Sequence, residues 1–219
     1  MSTAIPVRPK DWIHFRCRLC GGCCRNVKGQ LMLEPIDAYR LARLLRERNE
    51  VEFMEDVYAR YAYLDILEGC YPIFLLNTTA PDDACVFLRD GRCSVYKARL
   101  KVCQLYPFSV FPGTHGKDFS FYQCMDQHAF HFSDSKVLVK DWMHQNLKQE
   151  ERAFLLAEGA ALLELGRLVR TLGNNRLQEN LFQILYYHYY NYDLDHPFMP
   201  QYIKNVAELK GILQDAVGR

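Results

Sequence analysis

Apolar residues follow a helical period in the region after residue 34, which predicts two helices there. Ile36, Tyr39 and Leu41 begin a repeat of three and four residues, and Pro35 lies at the first helical position, where proline is favoured. A second run of apolar residues with the same period predicts a helix from about Val51 to Leu67.

The last third of the chain shows the same period over longer stretches. One predicted helix runs from Lys148 to Leu172 and stops at Gly173, where the run Gly-Asn-Asn is typical of a helix C-terminus. Two further helices are expected from Arg176 to Tyr190 and from Pro200 to Val217. The tyrosine-rich end of the first of these two helices is expected to pack in the core.

Between Cys70 and Cys124 the pattern changes, because short apolar pieces alternate with turn residues. Asp90-Gly91 separates two such pieces and predicts a tight β-hairpin. The whole pattern predicts an α+β fold that is helix-rich and irregular. It has short hairpins in a cysteine-rich half and a helical segment at the C-terminal end.

Composition and charge narrow the class of protein. Of the 219 residues, 49% are hydrophobic and 24% are charged, as in a globular domain. The formal charge is +1, and a nucleic-acid partner is not expected, since such proteins usually carry a basic excess. Met1–Lys10 lacks the apolar core of a signal peptide, and Ala153–Leu165 is too short and too charged to span a bilayer. We therefore expect a cytoplasmic protein without membrane contact.

Nine cysteines are the main candidates for chemistry, and none lies in the last 95 residues. In the reducing cytoplasm stable disulfides are rare, so this clustering indicates metal ligands. Four cysteines form the string Cys17-x2-Cys20-x2-Cys23-Cys24. Two successive two-residue gaps are typical of iron–sulfur sites, whereas structural zinc sites usually combine two separate pairs. The spacing favours iron–sulfur and leaves zinc open.

The adjacent cysteines Cys23 and Cys24 predict two metal centres. In an extended chain neighbouring side chains point to opposite faces, so the two thiolates would not share one tetrahedral ion, although a larger cluster could reach both. Four later cysteines lie at the ends of loops or predicted strands: Cys85, Cys93, Cys103 and Cys124. Together the eight thiols suffice for two four-cysteine sites. Cys70 is left over and is expected to be a buried apolar residue.

At these positions the sequence resembles the YkgJ-like cysteine-cluster family, also called the CxxCxxCC or zinc- or iron-chelating domain. The string from Cys17 to Cys24 is similar to the first block of that family. Its second block corresponds to Cys85-Val-Phe-Leu88, Gly91-Arg-Cys93-Ser-Val-Tyr96, Arg99, Cys103 and Tyr106-Pro107-Phe108. The resemblance covers about residues 15–125. Leu100 stands where the family usually has proline, and Cys124 precedes Met-Asp instead of Pro-Gly.

The resemblance implies iron or zinc bound by the eight cysteines, and it implies no single reaction. Arg99 belongs to the matched block and is expected to offset thiolate charge beside the cofactor. Tyr96 and Tyr106 are expected to wall the metal region. A histidine close to Cys124, His128 or His131, could replace that cysteine as a ligand.

We therefore expect a cysteine-cluster metal-binding domain at residues 11–130, stabilised by metal, and a helical region at 131–219 packed on it. The leading hypothesis is a cytoplasmic metalloprotein that binds iron–sulfur clusters, of [4Fe–4S] type, through eight cysteines. It would have a redox or protein-modification role and an unidentified protein or redox partner.

Two alternatives remain open. The first is a zinc-stabilised interaction module without catalysis. The second is a relative of protein lysine methyltransferases, since the flagellin lysine-N-methylase FliB is a distant member of the family that the sequence resembles. No Ser/His/Asp or HExxH arrangement identifies a catalytic residue.

Overall fold

The computed structural model describes residues 4–67, 71–113, 119–125 and 135–218, with the backbone alone described at 173–175. Its strands are β1 (Ala4–Val7), β2 (Trp12–His14), β3 (Ala62–Leu67), β4 (Tyr71–Leu76), β5 (Thr78–Thr79), β6 (Ala84–Cys85), β7 (Leu88–Arg89), β8 (Arg92–Cys93), β9 (Phe108–Pro112), β10 (Phe119–Cys124) and β11 (Lys136–Leu138). Its helices are α1 (Pro35–Arg46), α2 (Met54–Tyr61), α3 (Lys101–Leu105), α4 (Val139–Asn146), α5 (Gln149–Leu185) and α6 (Phe198–Val217). There are also 3₁₀ turns at Gly22–Cys24 and Tyr96–Ala98, and a π-helical turn at Tyr186–Tyr190. This mixture of helices and short antiparallel strands confirms the predicted α+β fold.

The chain divides into two units, each built from two separate segments. Unit 1 comprises Met1–Lys28 and Thr78–Leu156, and unit 2 comprises Gly29–Asn77 and Ala157–Arg219. The second boundary falls inside α5. The domains expected at 11–130 and 131–219 stay a prediction.

Unit 1 combines small antiparallel sheets with a helical layer. Three strands pair in the order β1-β10-β9, and β2 pairs with β11. The indole N–H of Trp142 donates to the carbonyl of Leu105 at 3.0 Å, and the Trp142 ring packs edge-on against Phe15. The apolar core of this unit contains Leu105, Phe108, Val110, Val139, Met143, Leu147 and Leu155.

Two further hairpins in unit 1 have strands of only two residues, β5–β6 and β7–β8. Asp90 and Gly91 form the turn between β7 and β8, both with positive φ, which confirms the predicted hairpin. Such short strands provide little cross-strand packing, so other contacts must stabilise this region.

Unit 2 combines β4 and its partner strand with four helices, α1, α2, α6 and most of α5. As predicted, α1 begins at Pro35, where the missing N–H of proline leaves no helical hydrogen bond unmade. All six residues of β4 are buried, and β3 is its antiparallel partner. The buried core of this unit contains Tyr71, Ile73, Leu75, Ala161, Leu165, Val169, Leu172, Ile184, Leu209 and Leu213.

The helix predicted from 51 to 67 is wrong in its second half. α2 ends at Tyr61, and residues 62–67 form β3, paired in register from Ala62↔Leu76 to Leu67↔Tyr71. The buried strand β4 needs a backbone partner, and a neighbouring segment rich in Tyr, Leu and Ile supplies it. Tertiary pairing therefore overrides a helical period that is too short to decide between the two structures.

The helix stop predicted at Gly173 is also wrong, because α5 continues from Gln149 to Leu185. Glycine in a helix interior costs only about 1 kcal/mol relative to alanine, and burial on both sides of residue 173 outweighs that cost. Leu172 and Ile184, on either side, belong to the same buried core. Neither α5 nor any other helix in the described ranges is long and apolar enough to cross a bilayer.

Candidate metal centre

The first cysteine string ends in a tight turn. Gly21 has φ 69°, and Gly22–Cys24 form a 3₁₀ turn in which the thiols of Cys23 and Cys24 hydrogen-bond to each other. The expectation that an extended backbone directs these neighbours to opposite faces is therefore wrong. Because the backbone is helical there, the geometric reason for assigning them to two separate centres is lost.

Gly21 allows this turn to lie directly against the β7–β8 hairpin. A Cβ atom at Gly21 would come within 2.6 Å of the Gly91 carbonyl oxygen and 2.7 Å of Cδ1 of Leu88. No other residue type fits that space, and the left-handed backbone adds a second requirement for glycine. No local feature of the sequence indicates this requirement, since the close approach of Gly21 to Gly91 depends on tertiary structure.

A second contact fixes the chain just after the string. The Arg25 guanidinium pairs with the Asp82 carboxylate, and the backbone N–H of Asn26 donates to the Asp82 carbonyl at 2.8 Å. The N–H of Val27 donates to the Asp83 carbonyl at 3.1 Å. Asp82 and Asp83 thus anchor the first cysteine string, a role that no local signal in the sequence indicates.

Five predicted ligands meet in unit 1: Cys23, Cys24, Cys85, Cys93 and Cys103. The thiol of Cys24 interacts electrostatically with those of Cys85 and Cys103, and the thiol of Cys23 interacts with those of Cys85 and Cys93. The later three come from the ends of β6 and β8 and from α3. Cysteines separated by up to 80 positions in the sequence therefore share one neighbourhood.

The ionisation of these thiols is unequal. The hydrogen bond from Cys24 lowers the pKa of Cys23 to about 7, and the Arg99 guanidinium acts in the same direction. The same hydrogen bond raises the pKa of Cys24. Burial raises the pKa of Cys85 and that of Cys93. Cys23 thus supplies a thiolate to a metal more readily than Cys24, Cys85 or Cys93.

The other three predicted ligands lie at different places in unit 1. Cys17 and Cys20 are exposed. Cys124 is the last residue of β10, where it pairs with Ala4 and donates its N–H to the Pro107 carbonyl at 2.8 Å. The spare cysteine and the two alternative histidine ligands, Cys70, His128 and His131, lie outside the described residues.

Of the three residues expected beside the cofactor, Arg99, Tyr96 and Tyr106, Arg99 interacts electrostatically with two of these thiols, those of Cys23 and Cys93. The Arg99 guanidinium lies 4.1 Å from the centre of the Tyr96 ring and interacts electrostatically with Cys23. Tyr96 is 46% exposed, and the Arg99 guanidinium lies over one face of its ring. Tyr106 is half-buried and meets the Phe15 ring edge-on at 5.7 Å.

The donor chemistry of the five thiols fits a metal that prefers sulfur, such as zinc or iron. None of the eight described cysteines forms a disulfide. Among the residues that the structure describes, no three His, Cys, Asp or Glu side chains stand in an arrangement that would hold a single metal ion. The five thiols therefore share one neighbourhood without forming the coordination geometry of a single ion.

Residues 16–136 match one family model, CxxCxxCC, which is described as a putative zinc- or iron-chelating domain. The match covers more than half of the 219-residue chain and includes all eight predicted ligands. Comparisons with curated proteins and with solved structures found no match. The suggested relationship to the flagellin methylase is not shown by any of the three comparisons.

Proposed function

Since the chain belongs to the CxxCxxCC family of zinc- or iron-chelating domains, we propose that its cysteines hold iron–sulfur clusters of the [4Fe–4S] type. Membership of the family supports metal binding in general. The observation that carries the finer proposal is the group of five interacting thiols in unit 1.

Two features favour a cluster over zinc. The spacing Cys17-x2-Cys20-x2-Cys23 is typical of iron–sulfur sites. In addition, Cys23 and Cys24 are adjacent on one turn, where a cluster with several irons offers each thiolate its own metal atom. A single tetrahedral zinc would have to accept both thiolates from neighbouring residues.

The proposed ligands are the eight cysteines of the two blocks: Cys17, Cys20, Cys23, Cys24, Cys85, Cys93, Cys103 and Cys124. Arg99 would offset part of the charge of the thiolates beside it. When bound, such a cluster supplies electron transfer or activation of a substrate. We place this activity in the cytoplasm, in a redox or protein-modification role, because thiols outside disulfides are stable in a reducing compartment.

The test is anaerobic purification followed by iron, zinc and sulfide analysis and a visible spectrum on one sample. We expect brown protein with matching amounts of iron and acid-labile sulfide. Replacing Cys93 by serine should lower the iron content, whereas Cys70→Ser, at the cysteine assigned no ligand role, should leave it unchanged. Colourless protein that contains zinc would overturn the iron–sulfur proposal and favour the zinc-stabilised interaction module.

A further inference from the structure

The formal charge of +1 conceals two units of opposite sign. Unit 1 contains 16 Lys and Arg against 10 Asp and Glu, which gives a net charge of +6. Unit 2 contains 11 against 16, which gives −5, and the two values add to the +1 of the chain. The weak overall charge therefore says little about the surface that carries the cysteines.

The positive charge is concentrated on the two segments that bear most of the cysteines, residues 16–28 and 84–103. These segments contain nine cationic side chains and one carboxylate, that of Asp90. Seven of the nine cations are exposed, and we call them the basic surface: Arg16, Arg18, Arg25, Lys28, Arg89, Arg92 and Lys97. The two segments meet where Gly21 lies against Gly91.

The proposed metal centres would compensate only part of this positive charge. A four-cysteine site with Zn²⁺ has a net charge of about −2, and so has a [4Fe–4S] cluster in its oxidised state with four thiolates. Two such centres would leave about half of the excess positive charge of the two segments uncompensated. Arg25 is in part neutralised by Asp82, outside the two segments. The remaining cations of the basic surface are exposed to solvent.

The β7–β8 hairpin shows this excess most directly. Arg89 and Arg92 are partners in the register of a hairpin with two-residue strands, and both are exposed. Like charges directly opposite each other destabilise a pair of strands. A feature that opposes local stability is expected where it serves binding. Two arginines at paired positions of a hairpin offer two guanidinium groups to the carboxylates of a partner.

Exposed aliphatic side chains in the same segments indicate that the partner is a protein. Leu19 is 57% exposed between two predicted ligands, and Val102 is 38% exposed beside Cys103. Aliphatic groups within a polar rim are typical of protein interfaces, whereas single-stranded nucleic acids are held by exposed aromatic rings. The exposed aromatic ring in these segments, Tyr96, is covered on one face by Arg99.

We propose that the basic surface docks an acidic segment of a partner protein, with Arg89 and Arg92 binding its carboxylates and Leu19 and Val102 contacting its apolar side chains. This inference assigns a class of partner to the proposed metal site. It rests on the proposed function only in placing that partner beside a metal centre. Binding itself requires no particular metal. The docked protein lies beside the cysteines, where it can exchange electrons with the centre or be modified there.

The experiment measures fluorescence anisotropy of a dye-labelled acidic peptide, about twenty residues of Glu with two Leu, mixed with the full chain at about 50 mM salt. The double variant Arg89→Glu/Arg92→Glu should weaken binding at least about tenfold. This variant keeps a pair of like charges on the hairpin, so the stability of the hairpin should stay close to that of the unchanged protein. The control Arg167→Glu/Lys204→Glu makes the same charge change on exposed residues of unit 2 and should alter binding about twofold or less.

Two further measurements fix the class of partner. Replacing the two Leu of the peptide by Ser should weaken binding about fivefold, and Leu19→Ser/Val102→Ser should remove that preference. A DNA duplex of similar charge that binds more tightly than the Leu-containing peptide at physiological salt would overturn the assignment to a protein partner. Salt-sensitive self-association in sedimentation would make a second copy of this chain the occupant and would also overturn it.

Metal analysis of each variant separates this proposal from the proposed function. Colourless, zinc-containing protein that still binds the peptide through Arg89 and Arg92 would overturn the cluster and leave the docking surface standing. Brown protein whose peptide binding is the same in both double variants would overturn the docking surface and leave the cluster standing.

Discussion

The two units are stabilised by different means. In unit 2, β4 is completely buried, and ten core residues from β4, α5 and α6 pack together. In unit 1, the segment from Ala84 to Leu105 consists of two-residue strands, a 3₁₀ turn and one short helix. Apolar burial holds the first arrangement, whereas the two-residue strands of the second provide little cross-strand packing, although Phe87, Leu100 and Leu105 are buried there. The comparison shows which half of the protein should depend on metal.

The units also differ in how their buried polar groups are satisfied. In unit 2, His188 Nε2 lies 3.1 Å from an oxygen of Glu158, and the Tyr71 hydroxyl lies 2.7 Å from His188 Nδ1. The Tyr202 hydroxyl donates to the same carboxylate. When Nε2–H donates to Glu158, Nδ1 accepts a hydrogen bond from the Tyr71 hydroxyl, and each group has a partner. The partly buried thiols of unit 1 instead interact with one another and, as we propose, with a metal.

Removal of metal should produce the largest difference in stability between the two units. Binding energy at a structural site of this kind is folding energy, about 10–16 kcal/mol for structural zinc in small domains. We expect a chelator to abolish hydrogen-exchange protection in residues 84–103, while α6 and β4 keep theirs. Mass spectrometry of exchanged peptides makes this measurement, with the untreated protein as control. Equal protection of residues 84–103 before and after chelation would contradict the prediction.

A cavity in the core of unit 2 should destabilise that unit and leave the metal content of the protein unchanged. Leu209 is fully buried in the core of unit 2, and Leu209→Ala should reduce the free energy of unfolding of this unit by about 2–5 kcal/mol. Urea unfolding followed by circular dichroism measures the loss. The control Leu163→Ala removes a side chain that is 74% exposed and should change stability little. A lower metal content in Leu209→Ala would show that the units are not independent in this respect.

The contact between the first cysteine string and the hairpin can be tested with two glycines of similar backbone conformation. Gly21 and Gly91 have φ of 69° and 73°, so an alanine at either position is strained by about 1–2 kcal/mol. Only at Gly21 would the new Cβ also clash, whereas nothing lies within 4 Å at Gly91. Gly21→Ala should therefore lower both metal content and thermal stability more than Gly91→Ala. Equal metal content in the two variants would argue against a role for this contact.

The smallest effect expected is a pH dependence in unit 2 that involves no metal. The backbone N–H groups of Phe53 and Glu52 donate to Asp56 and lower its pKa. A lowered pKa in the folded state stabilises the protein above about pH 4, the ordinary value for Asp, and the stabilisation is lost as pH falls through the folded-state pKa. Asp56→Asn should therefore flatten the decrease in stability on acidification. Glu55→Gln, an exposed neighbour in the same helical turn, should leave that decrease in place.

The sequence predicted local features well where one residue type determines the backbone. Pro35 marked the start of α1, and Asp90-Gly91 marked the hairpin, because each restricts φ without help from the rest of the chain. Residues 62–67 were assigned to a helix because their apolar pattern does not reveal that β4 needs a partner. Long-range pairing of this kind cannot be obtained from a short sequence window.

The candidate site was predictable in its chemistry and less so in its geometry. The spacing of the cysteines led to the correct family, and the structure brings five of the eight predicted ligands together. The contact of Gly21 with Gly91 and the anchor at Asp82 depend on segments about 60–70 positions apart, so no local signal shows them. The opposite charges of the two units were hidden for a similar reason, because each unit is assembled from two separated segments.

The packing of Trp142 gives this protein an optical label for one unit. The chain has two tryptophans, Trp12 and Trp142, and both belong to unit 1. Trp142 is held by its hydrogen bond to Leu105 and by the Phe15 ring, so loosening of that packing alters its emission. A coloured iron–sulfur cluster nearby would quench this emission, and a colourless zinc site would not. Tryptophan fluorescence therefore follows unit 1 alone and can be recorded while unit 2 is still folded.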